Sequence, residues 1–323
     1  MSTKTSVSGS TVVSREKKRA AAMRTQRSGL RARWVRWTFL LPAILYILLF
    51  YGYPLYYSFS VSFERYDLQA EITGMAPFVG LTNYLTVFHN PVFQSVALHT
   101  LFFTMGSIIP QFVIGLALAV LFTHRFPLNR LLRSLFLLPW LLPLVVSATI
   151  WRWLFDQTNG IIDQLLTGMH LVPAHFGWLT TPVWALVAVT IANIWIGIPF
   201  NMVIIYSGLQ SIAREFYEAA AIDGANGWQA FRYITLPLLE PVIGIVLMLG
   251  LIYTLKVFDI IYVMTGGGPA NASQTLATWS YNLSFSQQLF GQGAALGNVI
   301  LLIALAVAVV YVWWSGHTAK TYA

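Results

Sequence analysis

Long apolar runs separated by short polar ones dominate the chain. Six of them approach or exceed the roughly 20 mainly apolar residues that cross a bilayer, at about 38–60, 97–122, 135–155, 183–207, 236–263 and 293–314. The first, WTFLLPAILYILLFYGYPLYY, is longer than the roughly 7–15-residue core of a signal peptide and has no small-x-small cleavage site. The segment FVGLTNYLTVFHNPVFQSVALHT, in a loop over 61–95, is expected to be an amphipathic helix on the membrane surface. Between runs four and five lies a polar island, EAAAIDGANGWQAFRYITLP (218–237). Residues 211–222 favour helix, and Gly224 can adopt positive φ and end it. A second short helix is expected from about Trp228 to Tyr233. Pro237, tolerated only in a first helical turn, marks the start of the fifth span. Two short helices with a bend outside the bilayer would expose small alanines, which let another backbone come close. The Glu218 carboxylate could pair with a partner's Arg or Lys. The island, 211–235, is shaped for docking a soluble protein.

Composition makes lipid the natural solvent. Hydrophobic residues are 57% and charged ones 9% of 323, where a soluble domain is about a quarter charged. With no cysteine there is no disulfide framework and no thiolate metal site. The six histidines have no metal-ligand spacing, so no metal and no resident cofactor are expected. No nucleophile–His–acid set and no Walker-type phosphate loop occurs, so the chain is not expected to be an enzyme, and no catalytic residue is assigned. Gly266–Gly268 has no following Lys-Ser or Lys-Thr and trails a span, which suits a tight turn.

The net charge of +8 does not indicate nucleic acid, because ten of the 19 Lys and Arg precede Trp37. Residues 1–33 are expected to be a disordered, basic tail that sets topology. Arg125, Arg130, Arg133, Arg214, Arg232 and Lys320 fall on the same side as that tail, and Arg65 and Arg152 on the other. The bias places both termini, and the island, in the cytoplasm. Trp34, Trp37, Trp313 and Trp314 would mark the inner boundary, and Trp151, Trp153, Trp178 and Trp184 an outer aromatic belt.

Polar groups at membrane depth face a bundle interior or a cavity. In ANIWIGIPFN, Asn193, Gly197 and Asn201 recur every four residues and share a helix face. Gly197 would let backbone approach a ligand, and Asn201 could instead join helices. The fifth span offers Tyr253, Thr254, Lys256 and Asp259, the last two spaced for an ion pair on one helix face. Sugars are held by aromatic stacking and by amide, carboxylate and hydroxyl hydrogen bonds, so the inventory fits a polar, hydroxylated cargo. An ion-coupled secondary transporter is the rival reading, but neither an ion site nor inverted repeats are visible.

The island also carries a resemblance. Glu218, Ala219, Ala220, Gly224, Ile234, Leu236 and Pro237, with Asp223 before the glycine, resemble the EAA loop of ABC importer permeases, the inner-membrane components of binding-protein-dependent transport systems. FVGLTNY (78–84), LLRSLFLLPWLLP (131–143) and FDIIYVMTGGGP (258–269) are similar to signatures of the carbohydrate-uptake group. The shorter lactose-, glycerol-3-phosphate- and multiple-sugar-type permeases are the best match. The resemblance implies an all-α membrane protein with six transmembrane helices, in the type I ABC importer permease (MetI-like) fold of a bacterial inner membrane. It implies ATPase coupling through Glu218, Ala219, Ala220, Asp223 and Gly224. A second, homologous permease would complete a heterodimer. Two ATPase subunits would bind the ATP and Mg, and an extracytoplasmic solute-binding protein would deliver cargo for alternating access. Counting from the family's landmarks puts sugar-contact positions on Asn193, Ile196, Gly197, Phe200, Gly250, Thr254 and Val257, with a third-span position at Leu144. Gly250, Thr254 and Val257 replace more polar residues of the maltose permease. The resemblance therefore implies a cargo other than maltose and a smaller share of binding for this subunit. Neutral sugars rank above anionic ones, and the individual sugar stays open.

Overall fold

The computed structural model describes the backbone of residues 39–321 and the side chains of 39–315. The expected tail (1–33), Trp34, Trp37 and the Lys320 side chain lie outside the described residues. Among the described residues the elements are helices, and the one isolated β-bridge pairs Glu64 with Phe78. Two bodies are distinguished, Met1–Ser58 and Phe59–Ala323.

The first body contributes most of α1 (Phe39–Val61). Within it Leu48–Gly52 forms a π-turn, in which Tyr53 N–H reaches back five residues to Leu48 O. Pro54 follows directly. A proline lacks the N–H that continues the ladder, and a wide turn on its N-terminal side absorbs the mismatch.

The second body is organised on α4 (Pro91–Thr123) and α8 (Pro182–Ser211), which pack along their length. Small residues make this possible, since in lipid helices associate through close packing. Gly106 faces Thr190, Gly115 faces the Asn201–Met202 backbone, and Gly197 faces the Gln111 amide. Around the pair lie α5 (Asn129–Leu141), α6 (Leu144–Leu154), α10 (Gly227–Leu255) and α13 (Phe290–Thr321). The short helices are α2 (Leu68–Thr73), α3 (Thr82–His89), α7 (Ile161–Gly168), α9 (Arg214–Ile222), α11 (Asp259–Thr265) and α12 (Leu276–Tyr281). Among the described residues five helices, α1, α4, α8, α10 and α13, are each long and apolar enough to cross a membrane, and the bent pair α5–α6 makes a sixth if it counts as one broken span. The chain is an all-α membrane protein.

Four expectations change. The third run is not one helix: α5 and α6 meet at 97°. Pro143 forces the residue before it out of the helical region, and Leu142 is extended at ψ 142°. The fifth run breaks at Lys256–Phe258, between α10 and α11. The surface helix divides at Asn90, whose side chain caps α4 by accepting from Val92 N at 2.9 Å, with Pro91 as the first helical residue. The remaining piece, α3, is pinned into a cap: the Asn83 amide donates to Ser62 O and Glu64 O at 2.9 and 2.8 Å.

The fourth change concerns the outer tryptophans. Trp178 is 5% exposed and stacks edge-on with Phe176 and Trp184, while Trp151 packs on Phe155 and Trp195. The Trp178 indole N–H donates to Asp163 Oδ1 at 3.3 Å, and Phe176 N–H donates to the same oxygen at 3.0 Å. Asp163 is itself buried. Trp178 is therefore a core residue held by one carboxylate and not a belt residue, Trp151 is half-buried, and Trp153 and Trp184 remain exposed.

Candidate functional site

Two places collect the chemistry, an exposed elbow and a cavity, and one helix runs from the first to the second.

The elbow begins with α9. Its end is a left-handed cap: Gly224 has φ +79°, Gly224 N–H donates to Ala221 O, and Ala225 N–H donates to Ala220 O at 2.9 Å. These are the paired bonds of a Schellman motif, which needs a residue free of Cβ strain at that point. Two residues on, Asn226 starts α10 with a reciprocal cap. Asn226 Oδ1 accepts from Gln229 N at 2.9 Å, and Gln229 Oε1 accepts from Asn226 N at 2.8 Å. The expected second short helix is not separate; it is the first turn of α10, joined to the span through a π-turn at Phe231–Thr235. Leu236 N–H reaches back to Phe231 O, and Pro237 follows, the same arrangement as in α1. Tyr217 Oη and Thr235 Oγ1, 2.9 Å apart, tie α9 to α10. Glu218, Ala219, Asp223 and Gly224 are exposed and Ala220 half-buried. Ile222, Trp228 and Tyr233, 70% or more exposed, add apolar surface. Isolated exposed apolar groups are ordinary; here three lie on one bend beside small alanines.

The cavity, about 510 Å³, lies where α8, α10 and α11 meet α4 and the α5–α6 corner. All seven expected substrate-pathway residues line it: Asn193, Gly197, Phe200, Gly250, Thr254, Val257 and Asp259. Leu144, Ile196, Asn201, Tyr253 and Lys256 join them. Reasoning from sequence missed Gln111 and Trp140, which also line the cavity. Trp140 packs on Phe200 (ring centroids 6.2 Å apart), and Phe200 meets Tyr253 edge-on at 5.9 Å. The Lys256 ammonium sits over the Tyr253 ring at 4.9 Å. The expected Lys256–Asp259 ion pair is not formed among the described residues, because the helix breaks between the two and they no longer share a face.

Three amides line the same cavity. Gln111 Nε2 donates to Asn193 O at 2.8 Å. Gly197 serves this contact: a Cβ there would overlap the Gln111 amide, so what approaches its backbone is a side chain of α4. Asn201 Nδ2 donates to Gly197 O at 2.9 Å. Asn193 is 5% exposed, and its Nδ2 is buried without a partner among the described residues. An unsatisfied buried donor costs roughly 1–3 kcal/mol. A larger groove of 1040 Å³ between α10 and α13 is lined almost wholly by apolar side chains, with Arg232 and Glu240 as its charged groups, and offers a polar solute little.

Comparison with known proteins supplies the family. The model of the family described as "binding-protein-dependent transport system inner membrane component" matches residues 111–319. The trehalose/maltose transport system permease protein MalF of Thermococcus litoralis is 34% identical over 272 residues, 84% of this chain and 90% of that protein. The sulfoquinovosyl glycerol transport system permease protein SmoG of Agrobacterium fabrum is 33% identical over 289 residues, 86% of this chain and 92% of its own length. Among solved structures, a bacterial ABC transporter involved in the import of the acidic polysaccharide alginate shares the fold. Its TM-score is 0.78 at 22% identity, covering 91% of this chain and 99% of the other.

Proposed function

The chain belongs to the binding-protein-dependent transport system inner membrane components, and on that basis we propose that it is the permease subunit of an ATP-driven ABC importer of a sugar or related polyhydroxylated solute. The observation that carries the cargo class is the cavity, which brings three rings, Trp140, Phe200 and Tyr253, together with three amides, Gln111, Asn193 and Asn201. Rings stack on the apolar faces of a sugar while amides hydrogen-bond its hydroxyls. Relatives named for trehalose/maltose and for sulfoquinovosyl glycerol agree with that class. Lys256 over Tyr253 leaves the cavity one cation and one carboxylate, Asp259, which favours a neutral solute over an anion.

The partners follow from the two sites. ATP and Mg are held by two separate ATPase subunits, which dock on the elbow at Glu218, Ala219, Ala220, Asp223 and Gly224. A second permease, homologous to this one, closes the pathway, and a solute-binding protein delivers cargo on the side of Arg65 and Arg152. The elbow and both termini are cytoplasmic. Closure of the ATPase pair moves the elbow, α10 moves with it, and the cavity exchanges one face for the other. Each step is a population shift set by the differential affinity of nucleotide, cargo and binding protein for the two states.

The test is reconstitution. Purified complex in vesicles should take up sugar only with ATP inside and binding protein outside, and substituting Glu218 and Gly224 together should release the ATPase. Uptake by this chain alone under an ion gradient would overturn the assignment in favour of an ion-coupled carrier.

A further inference from the structure

Beside the inner ends of α4, α5 and α8 lies a pocket of 1070 Å³ that the transport reading does not use. It collects His124, Arg125, Arg130 and Arg133, and among the described residues neither Asp nor Glu lines it. We propose that this pocket binds the phosphate of an anionic phospholipid from the cytoplasmic leaflet, on the orientation proposed above.

The geometry is built. Asn129 Nδ2 donates to His124 O at 2.7 Å and to Phe122 O at 3.2 Å, folding 124–129 into a closed loop. Leu128 completes the reversal in the left-handed region at φ +62°, a conformation uncommon for a residue with a Cβ. The reversal brings Arg125, within the loop, and Arg130 and Arg133, after it, to one pocket. Arg133 is half-buried, with its guanidinium 4.7 Å from the centre of the Tyr206 ring. Gln210 Nε2 donates to Tyr206 Oη at 2.7 Å and fixes that ring. A purely topogenic arginine needs only water; this one is placed. Three guanidiniums without a carboxylate repel one another, and an anion removes that repulsion. Arg–phosphate pairs are charge-assisted and often bidentate.

Depth and edges choose the lipid over a soluble anion. α4 has 33 residues, roughly 50 Å at about 1.5 Å per residue, against about 30 Å of hydrocarbon. Its end therefore reaches the head-group layer, where basic pockets between helices take anionic head groups. Leu128 and Leu131, 67% and 54% exposed, flank the arginines and give acyl chains an apolar path beside the charge.

The experiment is native mass spectrometry of the purified full-length chain in its complex, titrated with phosphatidylglycerol, with phosphatidylcholine of the same acyl chains, and with inorganic phosphate. Phosphatidylglycerol should be retained over phosphatidylcholine. Arg130→Gln with Arg133→Gln should weaken that retention roughly 30-fold, at about fivefold per arginine near a membrane surface. Arg152→Gln, at the other end of the protein, should leave it unchanged. Arg130→Lys with Arg133→Lys keeps the charge and should still retain the lipid, which separates loss of binding from loss of folding. Equal retention by the parent and the Gln pair, or displacement of the lipid by inorganic phosphate, would overturn the proposal. Binding in detergent does not depend on orientation or transport, so its failure would leave the importer reading untouched.

Discussion

One methyl group added at Gly115 and, separately, at Gly197 should have opposite consequences. At Gly115 the new Cβ would stand 2.6 Å from Asn201 Cβ, 3.1 Å from Met202 N and 3.3 Å from Asn201 C. Two of those atoms are backbone of α8 and cannot swing aside, so α4 and α8 must separate. Overpacking of this kind costs about 1–3 kcal/mol, partly offset by the roughly 1 kcal/mol by which Ala exceeds Gly in a helix. A net loss of about 2 kcal/mol is expected at the upper end of that range. At Gly197 the obstacle is the flexible end of Gln111. The amide can swing into the cavity, giving up its 2.8 Å bond to Asn193 O. That loss, about 1 kcal/mol, roughly cancels the helix-propensity gain. Gly197→Ala should therefore unfold within about 1 kcal/mol of the parent, yet take up less sugar because the displaced amide occupies cargo space. The assay is unfolding in mixed micelles followed by fluorescence of the 12 tryptophans, paired with uptake in vesicles. Gln111→Ala on the Gly197→Ala background should return uptake to the level of Gln111→Ala alone. If Gly197→Ala destabilises more than Gly115→Ala, or if uptake is unchanged, the packing account of the cavity is wrong.

Three further outcomes are expected. Gly224→Asp should leave membrane insertion intact, since nothing lies within 4 Å of the position and the strain is confined to φ +79°, but should abolish sugar-stimulated ATPase activity in the reconstituted complex; full activity would remove Gly224 from the docking surface. Asn226→Ala removes the reciprocal cap of α10, worth about 1 kcal/mol, and hydrogen exchange at 227–230 should accelerate roughly fivefold while the rest of the helix is unaffected. Asp163→Ala orphans the Trp178 indole N–H and Phe176 N–H; a loss of about 2–3 kcal/mol in unfolding, with Trp178 emission shifting to the red, is expected, and a neutral result would mean that the carboxylate does not hold the Trp178 cluster.

The membrane class was legible because it rests on run length, a property of neighbouring residues. The elbow was legible for a related reason: its glycine, alanines and terminal Leu-Pro lie within 20 consecutive positions. The cavity was readable in part. Asn193, Gly197 and Asn201 declare themselves by four-residue spacing on one helix, and the structure brings them together with the fifth-span residues. Gln111 does not declare itself. Its meaning depends on Asn193, 82 positions away, and only its being an amide just after Pro110, deep in an apolar run, could have raised it. Trp140 stood between two prolines, and the corner that Pro143 makes is what turns its ring into the cavity. The break at Lys256–Phe258 has neither Pro nor Gly, so no local signal marked it. The ion pair expected across it failed for that reason. Trp178 looked like a belt residue because tryptophan near a span end is ambiguous until Asp163 is placed beside it.

The π-turn at Phe231–Thr235 sets an azimuth. An α-helix advances about 100° per residue, and a turn that closes five residues back instead of four holds one extra residue in a wider turn without ending the helix. Above the turn α10 displays Trp228 on the elbow; below it Gly250 and Thr254 face the cavity. The angle between those two directions is fixed by how many residues the turn holds. Deleting one residue from the regular helix between Leu236 and Gly250 would swing the cavity-facing residues aside by about 100° relative to the elbow. The bend at Gly224–Asn226 is itself pinned, by the Schellman pair, the Asn226–Gln229 cap and the Tyr217–Thr235 tie. Past Gly227 the two ends of the helix are geared together, and length there is not a spare variable.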